Sequence, residues 1–330
     1  MVAQVDHRFI RLSVKKSVIR YLSYIFYEGR PLTTKGRWIN PLVFLLYRLQ
    51  AVLPFEKPVT EPVFIIGTGR SGTTILGITL AMHDEVGFLN EPKALWSYLF
   101  GKEDLIGSYQ KTPGRYRLFA DDADESTIKK AHRIFGNYLR LTCSSRVVDK
   151  YPEMIFRIGF VKRIFPDAKF LFLYRNGGDT CHSIRYWSER LGIEDRGEKH
   201  DWWGRDDRKW RLLCEEVVAF DNKLAPYIDE ISQFSNHEHR AAVEWIVTMK
   251  EGMMLLETES DCVMGVKYED YVSSQSVRRN VLKYCALQPD TRYDQYCKAV
   301  LVVSSSNREL DLPLVIRDEF TRVSQKLGYE

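Results

Sequence analysis

Two short, uninterrupted apolar runs stand out from the mixed patterning of the chain: Val63-Phe64-Ile65-Ile66, and KFLFLY at residues 169–174. Both have the length and the β-branched or aromatic content of buried parallel strands. Each passes into a polar, glycine-containing turn and then into a helical pattern. After the first run the apolar positions are Ile75, Leu76, Thr79, Leu80 and Met82; after the second a helix runs to about residue 190. Weaker strands are predicted at 86–88, 146–149 and 262–267. Helices are predicted from Pro92, from Ser126 to about 142, over 153–165 and over 238–257. Strands alternating with helices through short turns predict an α/β fold: a P-loop-like three-layer sandwich with a central parallel sheet flanked by helices.

The N-terminal pattern differs. Val14, Val18, Tyr21, Leu22 and Ile25 form an apolar stripe, with Lys15, Lys16, Ser17, Arg20 and Ser23 mostly off it. A second apolar segment spans 42–53, and Pro54, Pro58 and Pro62 mark a junction. Residues 1–57 therefore read as a basic helical extension, which either attaches to an anionic membrane surface or packs as a cap on the domain at 58–330. Within that domain, 101–125 is polar and turn-rich and reads as a surface insertion. A tryptophan-rich, charged segment near 187–235 reads as the substrate side.

Composition narrows the class. A chain of 330 residues with 45% hydrophobic content can bury a sizeable core. A net charge of +4 is too small to make nucleic acid the expected partner. The excess is concentrated in residues 1–57, which hold ten Lys/Arg and three Asp/Glu. Cys143, Cys181, Cys214, Cys262, Cys285 and Cys297 form no C-x-x-C pair and read as reduced core thiols of a cytoplasmic protein, without a zinc site. Basic residues interrupt every apolar run near the N-terminus, so no signal peptide is expected. The segment 41–55 is too short and too polar to span a bilayer.

The strongest chemical signal is the turn after the first strand, Gly67-Thr68-Gly69-Arg70-Ser71-Gly72-Thr73-Thr74. A glycine-rich turn between a strand and a helix lets backbone N–H groups converge on one anion. Gly69 and Gly72 admit close approach, Ser71, Thr73 and Thr74 add hydroxyl donors, and Arg70 adds charge. Gly67 and Gly72 keep the Walker spacing, but Thr73 stands where the Walker lysine belongs. Such a loop suits one tetrahedral group on a 5′-phosphate better than a magnesium triphosphate.

Other candidates sit at the carboxyl ends of strands, where ligands bind in open parallel sheets. Glu91, after a strand expected to neighbour the first, is a candidate general base for an acceptor hydroxyl. Lys150 and Arg70 are candidates to neutralise charge on a leaving group. Arg175, with Ser183 eight residues later, suits a second phosphate; an ion pair to Asp179 is the plainer alternative. His182 is a second-choice base, and His83 reads as structural.

Taken together, FIIGTGRSGTT, the NEP after the next strand, DKYPE and KFLFLYRNGGDTCHS resemble the 3′-phosphoadenosine-5′-phosphosulfate-dependent sulfotransferases over roughly residues 62–190, and more weakly at VKYEDYV. The resemblance implies a 5′-phosphosulfate loop at 67–74 and a 3′-phosphate motif in Arg175 and Ser183. Glu91 falls where the carbohydrate and tyrosyl-protein branch carries its base, and Lys150 matches that branch's K-x-P lysine. It further implies metal-free in-line transfer of a sulfuryl group to a hydroxyl, with release of adenosine 3′,5′-bisphosphate. Arg70 replaces the lysine of the small-molecule branch, and no histidine accompanies Lys150. That favours a glycan, glycolipid or similar acceptor over a phenol or steroid. The competing functions are a P-loop-type kinase and a non-catalytic membrane-peripheral binding protein.

Overall fold

The computed structural model describes residues 3–53, 57–302 and 308–329; Pro54, at the expected junction, and the polar stretch 304–307 lie outside the described residues. The central sheet contains β1 (Val63–Gly67), β2 (Val86–Asn90), β3 (Arg146–Lys150), β4 (Lys169–Tyr174) and β8 (Val263–Lys267). All pairs are parallel, in the order β2-β3-β1-β4-β8. A small antiparallel sheet of β5 (Ile193–Asp195), β6 (Glu198–Asp201) and β7 (Gly204–Arg205) occupies part of the tryptophan-rich segment.

Alternate side chains of each strand enter opposite cores. Phe64, Ile66, Phe170 and Phe172 point into one, packed with helices α6 (Glu125–Leu141), α7 (Ile158–Ile164), α8 (Gly177–Leu191) and α11 (His237–Thr258). Val63, Ile65, Leu171 and Leu173 point into the other, under helix α4 (Thr73–Ala81). The three layers expected from the alternation are present. Asp124 rather than Ser126 caps α6, its carboxylate accepting from Thr127 N. The helix expected over 153–165 begins as a 3-10 turn at Pro152–Arg157.

Three expectations are corrected. First, β3 lies between β2 and β1, so Glu91 follows a strand two places from the first, and Lys150 comes from the strand in between. Second, the stretch 101–125 is not a surface insertion. Glu103, Asp104, Leu105, Tyr116 and Leu118 are buried. Asp104 accepts from the backbone N–H groups of 108, 109 and 110, and Glu103 Oε1 pairs with the fully buried Arg157 at 2.6 Å. Third, most of the apolar stripe of the N-terminal helix faces outward, with Tyr21 half-buried against the core. In α1 (His7–Leu12) and α2 (Val14–Phe26), Val14 and Val18 are exposed, whereas Lys16, Ser17, Arg20 and Ser23 are buried against the domain. Lys16 Nζ donates to the carbonyl of Val86 (2.6 Å), and Arg20 pairs with Glu28 (2.6 Å). All six cysteines are free, and Cys143 is exposed rather than a core thiol.

Candidate active site

The turn after β1 is held in a conformation that glycine permits. Gly67 and Gly72 have φ of 136° and 103°. A Cβ on Gly72 would come within 2.4 Å of the Tyr268 ring, and one on Gly69 within 2.5 Å of Trp202. Ser71 Oγ donates to the carbonyl of Thr68 (2.6 Å), which closes the loop from within. Arg70 adopts the left-handed region at φ 68° and is exposed. The hydroxyls of Thr68 and Thr73 are buried without a hydrogen-bond partner among the described residues. Buried hydroxyls are normally satisfied; a tetrahedral oxyanion at the start of α4 supplies the acceptors they lack. The loop therefore fits a tetrahedral oxyanion.

Arg175 and Ser183 come to the same place. Arg70 Nε donates to Ser183 Oγ at 3.1 Å. Arg70, Thr73, Thr74, Arg175, Ser183 and Tyr268 line one cavity of about 510 Å³. The Arg175 guanidinium lies over the Tyr268 ring, 4.5 Å from its centroid, and also pairs with Asp179 at 3.1 Å. Tyr268 was not a candidate from sequence. It follows β8, and only its packing under Arg175 and against Gly72 singles it out.

A second cavity, of about 640 Å³, opens on the other side of Arg70 and contains Glu91. Asn90 of β2 is in register with Lys150 of β3, which brings both strand ends together. Lys150 Nζ donates to Glu91 Oε1, and Lys93 Nζ lies 3.5 Å from Oε2. Burial pushes the Glu91 carboxyl up, but Lys150 and Lys93 outweigh it and hold the group below its ordinary 4.5.

Behind this pair runs a buried ionic chain that sequence gave no reason to connect. Lys93 pairs with Glu153 (3.3 Å), Lys209 with Glu153 (3.0 Å) and with Glu244 (2.7 Å), and Trp202 Nε1 donates to Glu244 (2.8 Å). Burial disfavours the Glu153 carboxylate, but Lys209 and Lys93 prevail and hold its pKa well down. The four strong partners come from the start of α5 (Lys93–Leu99), the turn after β3, helix α9 (Arg208–Glu216) and α11. Of the tryptophans, Trp187 and Trp202 line the second cavity in an edge-to-face pair, whereas Trp203 and Trp210 are core residues. His182 is not poised as a base: it is held between Glu238 and Arg308. His83 bonds the carbonyl of Gln288, in line with a structural role.

A parallel sheet flanked by helices, with a glycine-rich turn after its first strand and an arginine closing a neighbouring one, defines an α/β protein with a candidate anion site at the strand ends. The sulfotransferase family model matches residues 62–217, the stretch that supplies the turn, Glu91, Lys150, Arg175 and Ser183. Over that stretch, a little under half of its length, the chain is similar to the sulfotransferase family. An uncharacterized protein of Aquifex aeolicus (strain VF5) is 29% identical over 139 residues, 38% of this chain and 17% of that one. A putative protein-tyrosine sulfotransferase of Caenorhabditis briggsae is 22% identical over 186 residues, 53% of this chain and 64% of that one. The chain thus spans less than two thirds of the length of either relative. Among solved structures, the sulfotransferase domain from the curacin biosynthetic pathway aligns with 83% of this chain and 99% of its own at 15% identity and a TM-score of 0.49. A sulfotransferase from Mycobacterium avium aligns with 100% and 98% at 14% identity, also with a TM-score of 0.49.

Proposed function

We propose that this chain transfers a sulfuryl group from 3′-phosphoadenosine-5′-phosphosulfate to a hydroxyl of a glycan, glycolipid or similar acceptor. The observation that carries this reading is the meeting of two cavities at Arg70 and Thr74, one holding the paired anion candidates and the other Glu91. The donor, when bound, supplies an activated sulfuryl group on a phosphate leaving group. The turn residues Gly69, Arg70, Ser71, Gly72, Thr73 and Thr74 are assigned to its 5′ side, and Arg175 with Ser183 to its 3′-phosphate. Glu91 takes the proton of the acceptor hydroxyl as its oxygen forms the new bond to sulfur. Lys150 and Arg70 stabilise the negative charge left on the departing phosphate oxygen. Lys150 already bonds Glu91, so the base and this cation are held together before any ligand arrives. No metal ligand set is assigned a role in this scheme.

Trp187 and Trp202 offer aromatic faces for sugar rings in the acceptor cavity. If the acceptor is a glycolipid, the enzyme meets it at a membrane surface, on the cytoplasmic side if the reduced cysteines reflect the compartment.

The test pairs a thermal-shift comparison with a transfer assay. Adenosine 3′,5′-bisphosphate is expected to raise the melting temperature without added metal, and ATP with magnesium is not. Transfer of radiolabelled sulfate from the donor is then screened over glycans and glycolipids. Preferential stabilisation by magnesium-ATP, with phosphate transfer, would overturn the assignment in favour of a kinase.

A further inference from the structure

Apolar side chains scattered singly over a surface are ordinary, but a contiguous exposed group marks a binding face. The N-terminal extension carries two rows of exposed apolar side chains. On α1 and α2, Ile10, Val14, Val18 and Leu22 are exposed at helical spacing. In the neighbouring segment around α3 (Asn40–Val52), Trp38, Leu42, Leu45, Leu49, Val52 and Leu53 are exposed, Trp38 by 83%. The two helices adjoin through Tyr27, whose hydroxyl donates to Gln50 (2.9 Å) and whose carbonyl accepts from Tyr47 (2.6 Å).

These helices are not merely solvated. On α2 the polar side chains Lys16, Arg20 and Ser23 are buried, whereas Val14, Val18 and Leu22 are left outside, as are Leu42, Leu45, Leu49 and Val52 of α3. That is the reverse of what a water-facing cap requires. Within residues 3–53 the exposed charge has one sign. Arg11, Lys15, Lys35, Arg37 and Arg48 are exposed, and no carboxylate among the described residues 3–53 is: Asp6 is half-buried as the cap of α1, and Glu28 is buried against Arg20. No helix among the described residues is long and apolar enough to cross a membrane.

We infer that the outward faces of α1, α2 and α3 dock on the surface of an anionic lipid bilayer, apolar side chains inserted at the headgroup boundary and lysines and arginines on the lipid phosphates. The occupant is a bilayer rather than a protein partner because exposed leucines, a tryptophan and an unopposed set of cations match its layered chemistry, apolar beneath anionic. The same extension forms part of the acceptor-side cavity, through Tyr24 and residues 28–34. Docking therefore brings one wall of that cavity to the membrane, and this link to a lipid-carried acceptor rests on the transfer reading above. The docking itself does not.

The test uses the full chain and sedimentation with large unilamellar vesicles of phosphatidylcholine alone or with 30% phosphatidylglycerol. Binding is expected to the anionic vesicles, weakened at high salt, with little binding to the neutral ones. Lys15→Ala and Arg48→Ala are each expected to weaken partitioning about 5-fold. Leu45→Ser with Leu49→Ser is expected to weaken it at least about 10-fold. All four side chains are exposed, so circular dichroism melting and adenosine 3′,5′-bisphosphate binding should stay unchanged, which separates lost docking from lost folding or a lost donor site. Equal binding to both vesicle types, no binding to either, or binding insensitive to these substitutions would overturn the proposal. So would light scattering that reveals a dimer dissolved by the leucine substitutions.

Discussion

Arg70 Nε lies 3.1 Å from Ser183 Oγ, although 113 residues separate them in the chain. The bond joins the turn after β1 to helix α8 and so couples the two expected anion pockets across one cavity. Both side chains are then placed to exchange this mutual bond for bonds to a ligand. Ser183→Ala is expected to weaken adenosine 3′,5′-bisphosphate binding about 10-fold, the loss of one hydrogen bond to a charged group. Arg175→Ala removes a full charge and is expected to cost more than about 100-fold. Isothermal titration calorimetry reads both. Unchanged affinity in Arg175→Ala would move the 3′-phosphate elsewhere.

Glu91 is expected to separate binding from chemistry. Glu91→Gln keeps the side chain's size and spares the donor cavity, so nucleotide affinity should hold while turnover falls by about 10²–10⁴-fold. Lys150 and Lys93 hold the carboxyl below 4.5 against the upward push of burial. The carboxylate therefore persists below pH 4.5, and the acid limb of the rate profile should lie under that value. Loss of nucleotide affinity in the glutamine variant, or an acid limb near neutrality, would remove Glu91 from the role of base.

The backbone of the turn gives a stability test. Gly72 combines φ of 103° with a Tyr268 ring 2.4 Å from where a Cβ would stand. Gly72→Ala is therefore expected to destabilise the fold by about 1–3 kcal/mol and to displace Tyr268 from beneath Arg175. Thermal melting and nucleotide titration should both register it. A variant that melts and binds like the parent would show that the turn is not held against Tyr268.

What was legible in the sequence was local. The strand β1, its turn and helix α4 are contiguous, and β4 is an apolar run too long for a surface, so each announced itself. The strand order did not, because nothing in residues 86–90 says that β3 lies between them and β1. Periodicity located a two-faced helix over residues 9–27 but not which face turns inward. That depended on distant groups, the Val86 carbonyl for Lys16 and Glu28 for Arg20. Polar composition made 101–125 look superficial for the same reason, since the partner of Glu103 is Arg157, 54 residues away. Glu91 and Lys150 were readable one by one at strand ends, whereas the ionic chain behind them exists only in three dimensions.

That chain should be a cooperative unit. Lys209 is buried, and Glu153 and Glu244 hold its ammonium charged against the opposing effect of burial. Lys209→Met leaves two buried carboxylates short of a partner and is expected to cost about 3–5 kcal/mol in denaturant unfolding. Adding Glu244→Gln removes one stranded charge and should restore part of the loss, a coupling that a double-mutant cycle measures. Additive losses would mean that the two side chains act separately.

Lys16 offers a pH signature for the docking of the N-terminal helices on the domain. It is buried, and burial, followed by repulsion from Lys15, lowers its pKa from 10.5 to about 7. In the unfolded chain the ammonium keeps its proton up to about 10.5, so between pH 7 and 10.5 the unfolded state binds more protons than the folded one. Stability should therefore rise with pH across that window, by at most about 1.4 kcal/mol per pH unit from this group, and the gain should vanish as pH falls through 7. Lys16→Met keeps the aliphatic stem and has no proton to bind, so the difference between parent and variant isolates this contribution. Urea unfolding at pH 7, 8 and 9 is the measurement. Parallel pH dependences in the two proteins would show that Lys16 is not buried against Val86, and with it would fall the inward orientation of the polar face of α2.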